Sequence, residues 1–172
     1  GGAHLVVQTD RSRGFLALAR RTYGLNGFAY RQEDFPVGDF HRVIGALKHA
    51  GRLFDCVVLD PPYFSTSDSG RVDLEGEMAR LINKVRPLVA HQGWLVVVNN
   101  ALFVSGEEYL AQLKELCGDG YLSIESILPV PADVTGFGET RISLPPVDPS
   151  PFNHPTKIAV LRVARKDRGI AS

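Results

Sequence analysis

Two apolar runs stand out along this chain: Phe54 to Leu59, broken only by Asp55, and Trp94 to Val98, unbroken. Short runs with little polar alternation are the pattern of strands buried on both faces of a parallel sheet. Weaker strand signals lie at His4 to Gln8, which Asp10 ends, and at Phe28 to Arg31. Tyr121 to Leu128 and Lys157 to Val163 alternate apolar with polar positions, as half-buried strands do. Between these segments the spacing turns helical. Phe15, Leu16, Leu18, Ala19, Thr22 and Tyr23 share a face, with Ser12 as N-cap and Gly24 and Asn26-Gly27 as the stop. Phe40 to Gly51 and Leu74 to Ala90 carry similar stripes, the latter with Pro87 near its end. Ser105 and Glu108 have capping-box spacing and open a helix that runs to about Cys117.

Strand alternating with helix predicts a parallel sheet with right-handed crossovers. The last two strands follow one another without a helical stripe, so they can pair antiparallel and make the sheet mixed. The fold class expected is therefore α/β, a mixed sheet with flanking helices. Three connections are notable. Ser65 to Gly70 reads as a small polar loop, either a lid or a connector. His91-Gln92-Gly93 reads as a turn. The segment between Leu128 and Lys157 holds seven prolines and has the length of a functional loop. Asp133, Phe137, Asp148, Phe152, Asn153 and His154 lie on it and are candidates to line a site.

Composition changes this picture little. The 172 residues suffice for one domain with a sizeable core, and 44% hydrophobic with 22% charged is ordinary for a globular protein. Nineteen basic residues balance nineteen acidic ones, which argues against wholesale electrostatic wrapping of nucleic acid but leaves a local basic patch open. Cys56 and Cys117 make neither a disulfide framework nor a zinc site; apolar surroundings predict reduced, buried thiols and a cytoplasmic setting. His41 and His49 have no cysteine or carboxylate at metal-ligand spacing, so no metal is expected. No apolar run is long enough for a membrane helix.

The candidate chemistry sits where the apolar runs stop. Val57-Val58-Leu59 leads into Asp60-Pro61-Pro62-Tyr63-Phe64. The prolines lack amide protons and hold their neighbours extended, so the sheet ends there with a carboxylate, free carbonyls and aromatic rings. In open α/β sheets that edge binds ligands. The bland reading is a turn in which Asp60 makes a local bond. Trp94 to Val98 ends in Asn99-Asn100, amides able to orient a substrate amide or base edge, or to close a turn. Asp10, at the tip of the first strand signal, either accepts two ribose hydroxyl bonds or caps the helix that follows.

These residues resemble a known family. Asp10-Arg-Ser at the front, Asp60-Pro61-Pro62-Tyr63-Phe64 in the middle and Gly93-Trp94-Leu95-Val96 after it are similar to the class I S-adenosylmethionine-dependent methyltransferases. Within that class they look most like the ribosomal RNA large-subunit methyltransferases with an Asp-Pro-Pro-x-Phe motif. The resemblance implies a Rossmann-like mixed sheet with flanking helices, in which residues 1–166 are a partial methyltransferase catalytic domain, with 167–172 a polar tail. It implies S-adenosylmethionine as cofactor, its ribose held at Asp10 and Arg11, its adenine amine at Asp34 with Phe35 packing on the ring, and Asp60 also near it. Asp60, Pro61, Pro62 and Tyr63 would form the catalytic corner, and Phe64, Asn99, Asn100 and Asp133 would meet the substrate. RNA is the partner implied, through a base flipped out and stacked on Tyr63.

Two departures qualify the resemblance. The family's first strand and Gly-rich loop, which cradle the methionine end of the cofactor, would precede Gly1. The expectation is that this chain alone binds the cofactor poorly, or needs a preceding segment or a dimer partner to complete the sheet. Methylation of a pyrimidine carbon also needs a cysteine nucleophile, and neither cysteine is placed for it. A nucleobase nitrogen is the better target. A protein or small-molecule methyltransferase, or a non-catalytic binding module on the same fold, remains the alternative.

Overall fold

The computed structural model describes residues 2–61, 64–67, 70–135 and 147–166. They fall into two compact units, one running to Gly51 and including Ser67, the other built from Arg52 onward. In the first unit helix α1 (Arg13–Leu25) begins where the Ser12 hydroxyl accepts from the Phe15 amide. It ends at Asn26, followed by Gly27 at φ 71°. Helix α2 (Phe40–His49) is capped by the Asp39 carboxylate, which accepts from the His41 amide, and buries Val43 and Ile44. Its Lys48 and His49 lie in the last turn, where cations complement the helix dipole.

The expected strands at His4 to Gln8 and Phe28 to Arg31 do not form. In place of the first the Gln8 amide donates to the Asp34 carbonyl (2.9 Å), and just beyond it Asp10 makes an isolated bridge to Val37. Without a continuous neighbour a strand has no ladder, and Leu5 and Val6 are both more than 40% exposed. After Phe28, whose amide bonds back to Tyr23, the chain passes into a short 3-10 turn, Gln32–Asp34.

The second unit is organised by a four-stranded sheet. Its strands are β1 (Phe54–Leu59), β4 (Val89–Asn99), β5 (Leu122–Leu128) and β6 (Lys157–Val163), in the order β1-β4-β6-β5. β1 and β4 are parallel, and β6 runs antiparallel to both β4 and β5, so the mixed sheet expected from the pattern is present. The last strand inserts between the two before it rather than adding at the edge. Where a polar loop is expected, Ser65 to Ser67 and Gly70 are strand: β2 (Phe64–Ser67) pairs with β3 (Gly70–Asp73) as a separate two-stranded sheet, and residues 68–69 lie outside the described residues. α3 (Leu74–Val85) gives way at Arg86 to a 3-10 turn with Pro87 in its first positions. It ends there, rather than bending and continuing to Ala90, because proline has no N–H for the helix ladder. His91-Gln92-Gly93 is not a turn but a bulge inside β4. The partner of Phe54 is Val89 while that of Cys56 is Trp94, and Gln92 takes φ 59°.

The inner face of the sheet carries Leu95, Val97, Ala159, Leu161 and Val163, all at 1% exposure or less. Met78, Leu81, Ile82 and Val85 of α3, with Tyr109 and Leu113 of α4 (Gly106–Leu116), complete that core. α4 opens on the capping box read from the sequence. The Ser105 hydroxyl accepts from the Glu108 amide and the Glu108 carboxylate accepts from the Ser105 amide. Those donations hold the Glu108 carboxyl below its ordinary pKa.

Two burial expectations are corrected. β1 is not buried on both faces: Asp55, Cys56 and Val58 are exposed, Val58 at 65%. Among the described residues β1 pairs only with β4, and its alternate side chains fall on the sheet face opposite α3 and α4. Trp94, Val96, Ile158 and Val160 are half-buried on that same face. For the same reason Cys56 is an exposed thiol and not a core residue; Cys117, at the C-terminal end of α4, is half-buried.

Candidate active site

Asp60 and Asn100 lie immediately past the carboxyl ends of β1 and β4. Parallel pairing that sets Leu59 opposite Val97 brings those ends together. The Asn100 Nδ2 donates to Asp60 Oδ1 at 3.1 Å. The Thr156 hydroxyl donates to Asn100 Oδ1 at 2.9 Å. An ionised carboxylate can only accept, so the nitrogen of the Asn100 amide must face Asp60 and its oxygen Thr156. Three strand ends, far apart in sequence, thus meet in one hydrogen-bonded row.

The row rests on Lys157, the first residue of β6. Its side chain is 1% exposed and its Nζ donates to the carbonyls of Ala101 and Pro155, each at 2.8 Å. Burial lowers its pKa to about 8. Lys157 therefore ties together the backbone segments that carry Asn100 and Thr156. Nearby, Asn153 clamps Val130 through two side-chain bonds of 2.9 Å, to its amide and its carbonyl. Phe152 packs beside Tyr109 with ring centroids 5.7 Å apart. The proline-rich excursion is thus anchored at 147–156 against α4 and the start of β6.

The first unit carries the other carboxylates. Asp10 Oδ1 accepts from the Ser12 amide at 2.6 Å, and the Asp10 carbonyl accepts from Gly38 at 2.9 Å. The helix cap itself is Ser12. Asp34 is 4% exposed and gripped by Arg31, whose Nη2 donates to Oδ1 (3.0 Å) and whose Nε donates to Oδ2 (3.2 Å). That bond raises the Arg31 pKa. Phe35 is 3% exposed and meets Tyr23 and Tyr30 edge-on at 5.5 and 5.6 Å. Residues 8–10 run beside 34–37 through the bonds already given, so Asp10 and Asp34 belong to neighbouring segments. Arg11 is exposed.

Of the residues singled out from the sequence, Asp60 and Asn100 are brought together. Pro61 is buried; Pro62 and Tyr63 lie outside the described residues, as does Phe137; Phe64 opens β2. Asp133 is exposed on α5 (Ala132–Thr135). Asn99 is corrected: it is 0% exposed, and its Oδ1 accepts from the Ala101 amide at 2.8 Å. Strand alternation puts Asn99 in phase with Leu95 and Val97 on the inner face, where it closes the turn after β4 rather than joining Asp60. Its Nδ2 has no partner among the described residues. Sequence reasoning missed Thr156, Lys157 and Arg31. Lys157 left a readable signal, a charge in phase with Ala159, Leu161 and Val163.

A shallow groove of about 310 Å³ lies between α3 and α4, lined by Ala79, Asn83, Gln112, Glu115, Leu116 and Asp119. Asp119 pairs with Arg86, just before β4 begins, so this groove is at the opposite end of the sheet from Asp60.

No protein-family model matches the chain. Among curated proteins it is 32% identical over 102 residues to ribosomal RNA large subunit methyltransferase K of Neisseria meningitidis. It is also 32% identical over 114 residues to ribosomal RNA large subunit methyltransferase K/L of Pseudomonas fluorescens. The matches take in 58% and 65% of this chain but only 29% and 15% of those proteins, so the chain spans a minor part of the relatives' length. Among solved structures, SMU.776, a methyltransferase-fold protein complexed with SAH, superposes with a TM-score of 0.77 over 95% of this chain and 40% of its own, at 16% identity. A SAM-dependent methyltransferase from Streptococcus mutans gives 0.73 over 95% and 39%, at 15% identity. In sequence, then, the chain is similar to part of the ribosomal RNA large subunit methyltransferases K and K/L, and its fold is that of the S-adenosylmethionine-dependent methyltransferases.

Proposed function

We propose that this chain is the acceptor-handling part of an S-adenosylmethionine-dependent methyltransferase that modifies a nucleobase nitrogen of RNA, ribosomal RNA first. The observation that carries the reading is the Asp60–Asn100 pair at the carboxyl ends of two parallel strands, on a chain similar to part of two ribosomal RNA methyltransferases. Asp60 is exposed, and its carboxylate offers an acceptor to the N–H of an incoming amine. Accepting that bond localises the nitrogen lone pair for attack. The backbone carbonyls at Asp60 and Pro61 add further acceptors, and Tyr63 and Phe64 supply aromatic surface for a flipped base. Asp133 is a further substrate contact in this reading. No covalent step by the protein is required, and catalysis comes mostly from placement.

The cofactor, when bound, supplies an electrophilic methyl on a sulfonium. In the first unit Asp10, oriented by the Ser12 amide, suits its ribose hydroxyls with Arg11 beside it; Asp34 and Phe35, which the resemblance assigns to the adenine, are buried, Asp34 with both oxygens on Arg31. A ribosomal substrate places the reaction in the cytoplasm.

The test is Asp60→Ala in the full-length protein. Methyl transfer to ribosomal RNA, followed with labelled cofactor, is expected to fall by about 10²–10³-fold. Cofactor affinity by calorimetry should stay within a few-fold. Undiminished transfer would remove Asp60 from the mechanism. Label appearing in protein instead of RNA would favour a protein acceptor.

A further inference from the structure

Asn100 is half-buried beside an exposed carboxylate, and its side chain is held at both ends. The Asn100 nitrogen carries two hydrogens, and one is used by Asp60. The second, together with the remaining oxygen of Asp60, makes an edge of one donor next to one acceptor. Rotating the amide by half a turn would set its oxygen against the carboxylate, acceptor facing acceptor. Asp60 alone disfavours that state, but it does not stop the amide from swinging out to water. Thr156 does, because its hydroxyl takes the Asn100 oxygen from the other side. The hydroxyl is itself well placed. Its residue is adjacent to Lys157, whose ammonium is bonded to the carbonyls of Pro155 and Ala101 on either side of the Thr156–Asn100 contact. The Thr156 amide is also bound, donating to His154 Nδ1 at 3.0 Å.

We propose that Thr156 is a positioning residue that locks Asn100 as a hydrogen-bond donor beside Asp60, so that the target nitrogen is received by a donor–acceptor edge. The inference rests on the methyltransferase reading above and deepens it. The substrate class that fits such an edge is a group whose N–H adjoins a carbonyl oxygen or ring nitrogen. Purine and pyrimidine Watson–Crick edges have this arrangement. The target N–H meets Asp60, and its neighbouring acceptor meets the Asn100 N–H. Thr156 touches neither the substrate nor the cofactor.

The experiment compares Thr156→Val, which keeps the shape but loses the hydroxyl donor, with Thr156→Ser, which restores it. It is done in the full-length protein, with melting temperature recorded to confirm that each variant is folded. The first readout is independent of activity: the Asn100 side-chain amide in nitrogen-15 NMR. In wild type and Thr156→Ser, one Nδ2 proton is expected to be protected from solvent exchange; in Thr156→Val that protection should be lost. The second readout is kinetic. Thr156→Val should lower kcat for RNA methylation by about 10–100-fold, as small misplacements of reacting groups do, with the cofactor KM unchanged and Thr156→Ser close to wild type. An Asn100 amide that behaves identically in all three proteins overturns the lock. A lost protection with unchanged kcat overturns its role in positioning. Wild-type protein that methylates no RNA while the amide responds as expected sinks the functional reading and leaves the lock standing.

Discussion

Lys157 is the side chain whose physics is least like its neighbours'. A lysine at 1% exposure carries a desolvation cost, offset in part by bonds to two backbone carbonyls. Lys157→Met should destabilise the fold near neutral pH by about 1–3 kcal/mol, because those carbonyls lose their donors. The pH dependence has a definite sign. The folded pKa, about 8, lies below the ordinary value of 10.5. Between these values the unfolded chain holds a proton that the folded chain has released, so stability rises with pH across that window. Urea unfolding at pH 7.5 and 9.5 should therefore show wild type gaining about 1–2 kcal/mol relative to Lys157→Met. A constant difference between the two proteins would mean that the ammonium is not desolvated. At this scale the sequence was informative about Asp60 and silent about Thr156. A carboxylate next to two prolines stands out in the sequence, whereas a threonine among proline-rich turns acquires its hydrogen-bond partner, Asn100, only from what the fold sets opposite it.

At the scale of elements, the helices were the most legible. Their caps are local chemistry: Ser12, Asp39 and Ser105 each accept from a nearby amide within their own turn. Strands were less so, since a ladder depends on a partner elsewhere in the chain. That is why His4 to Gln8 failed and His91-Gln92-Gly93 became a bulge. Gly106 shows a constraint of the same non-local kind. It is buried at the first position of α4, its amide donates to the Asp148 carbonyl at 3.1 Å, and a Cβ there would collide with the carbonyl oxygens of Pro149 and Ser150. Gly106→Ala should cost about 1–3 kcal/mol despite alanine's better helix propensity. An urea midpoint equal to wild type would show that the 147–152 segment yields freely.

For the whole molecule, the sheet face opposite α3 and α4 sets the exposure of Cys56. Cys56 is exposed on β1, while burial and the Asp119 carboxylate push the Cys117 thiol up. In native protein a thiol-reactive dye should label Cys56 first, and Cys56→Ser should remove the fast phase. Fast labelling of Cys117 instead would show that the face is covered in solution. The expectation of buried thiols failed because an apolar run states only that a strand wants to be buried, not how many of its neighbours are present. Hydrophobic periodicity, caps and the Asp-Pro-Pro-aromatic corner were enough to specify an α/β mixed sheet and to point at the carboxyl end of β1, because each is encoded within a few consecutive residues. The insertion of β6 between β4 and β5, the burial of Asn99 and the Asp60–Asn100–Thr156 row came from three-dimensional packing alone. They join residues about 30 to 70 positions apart, and only the register of the sheet determines which of those meet.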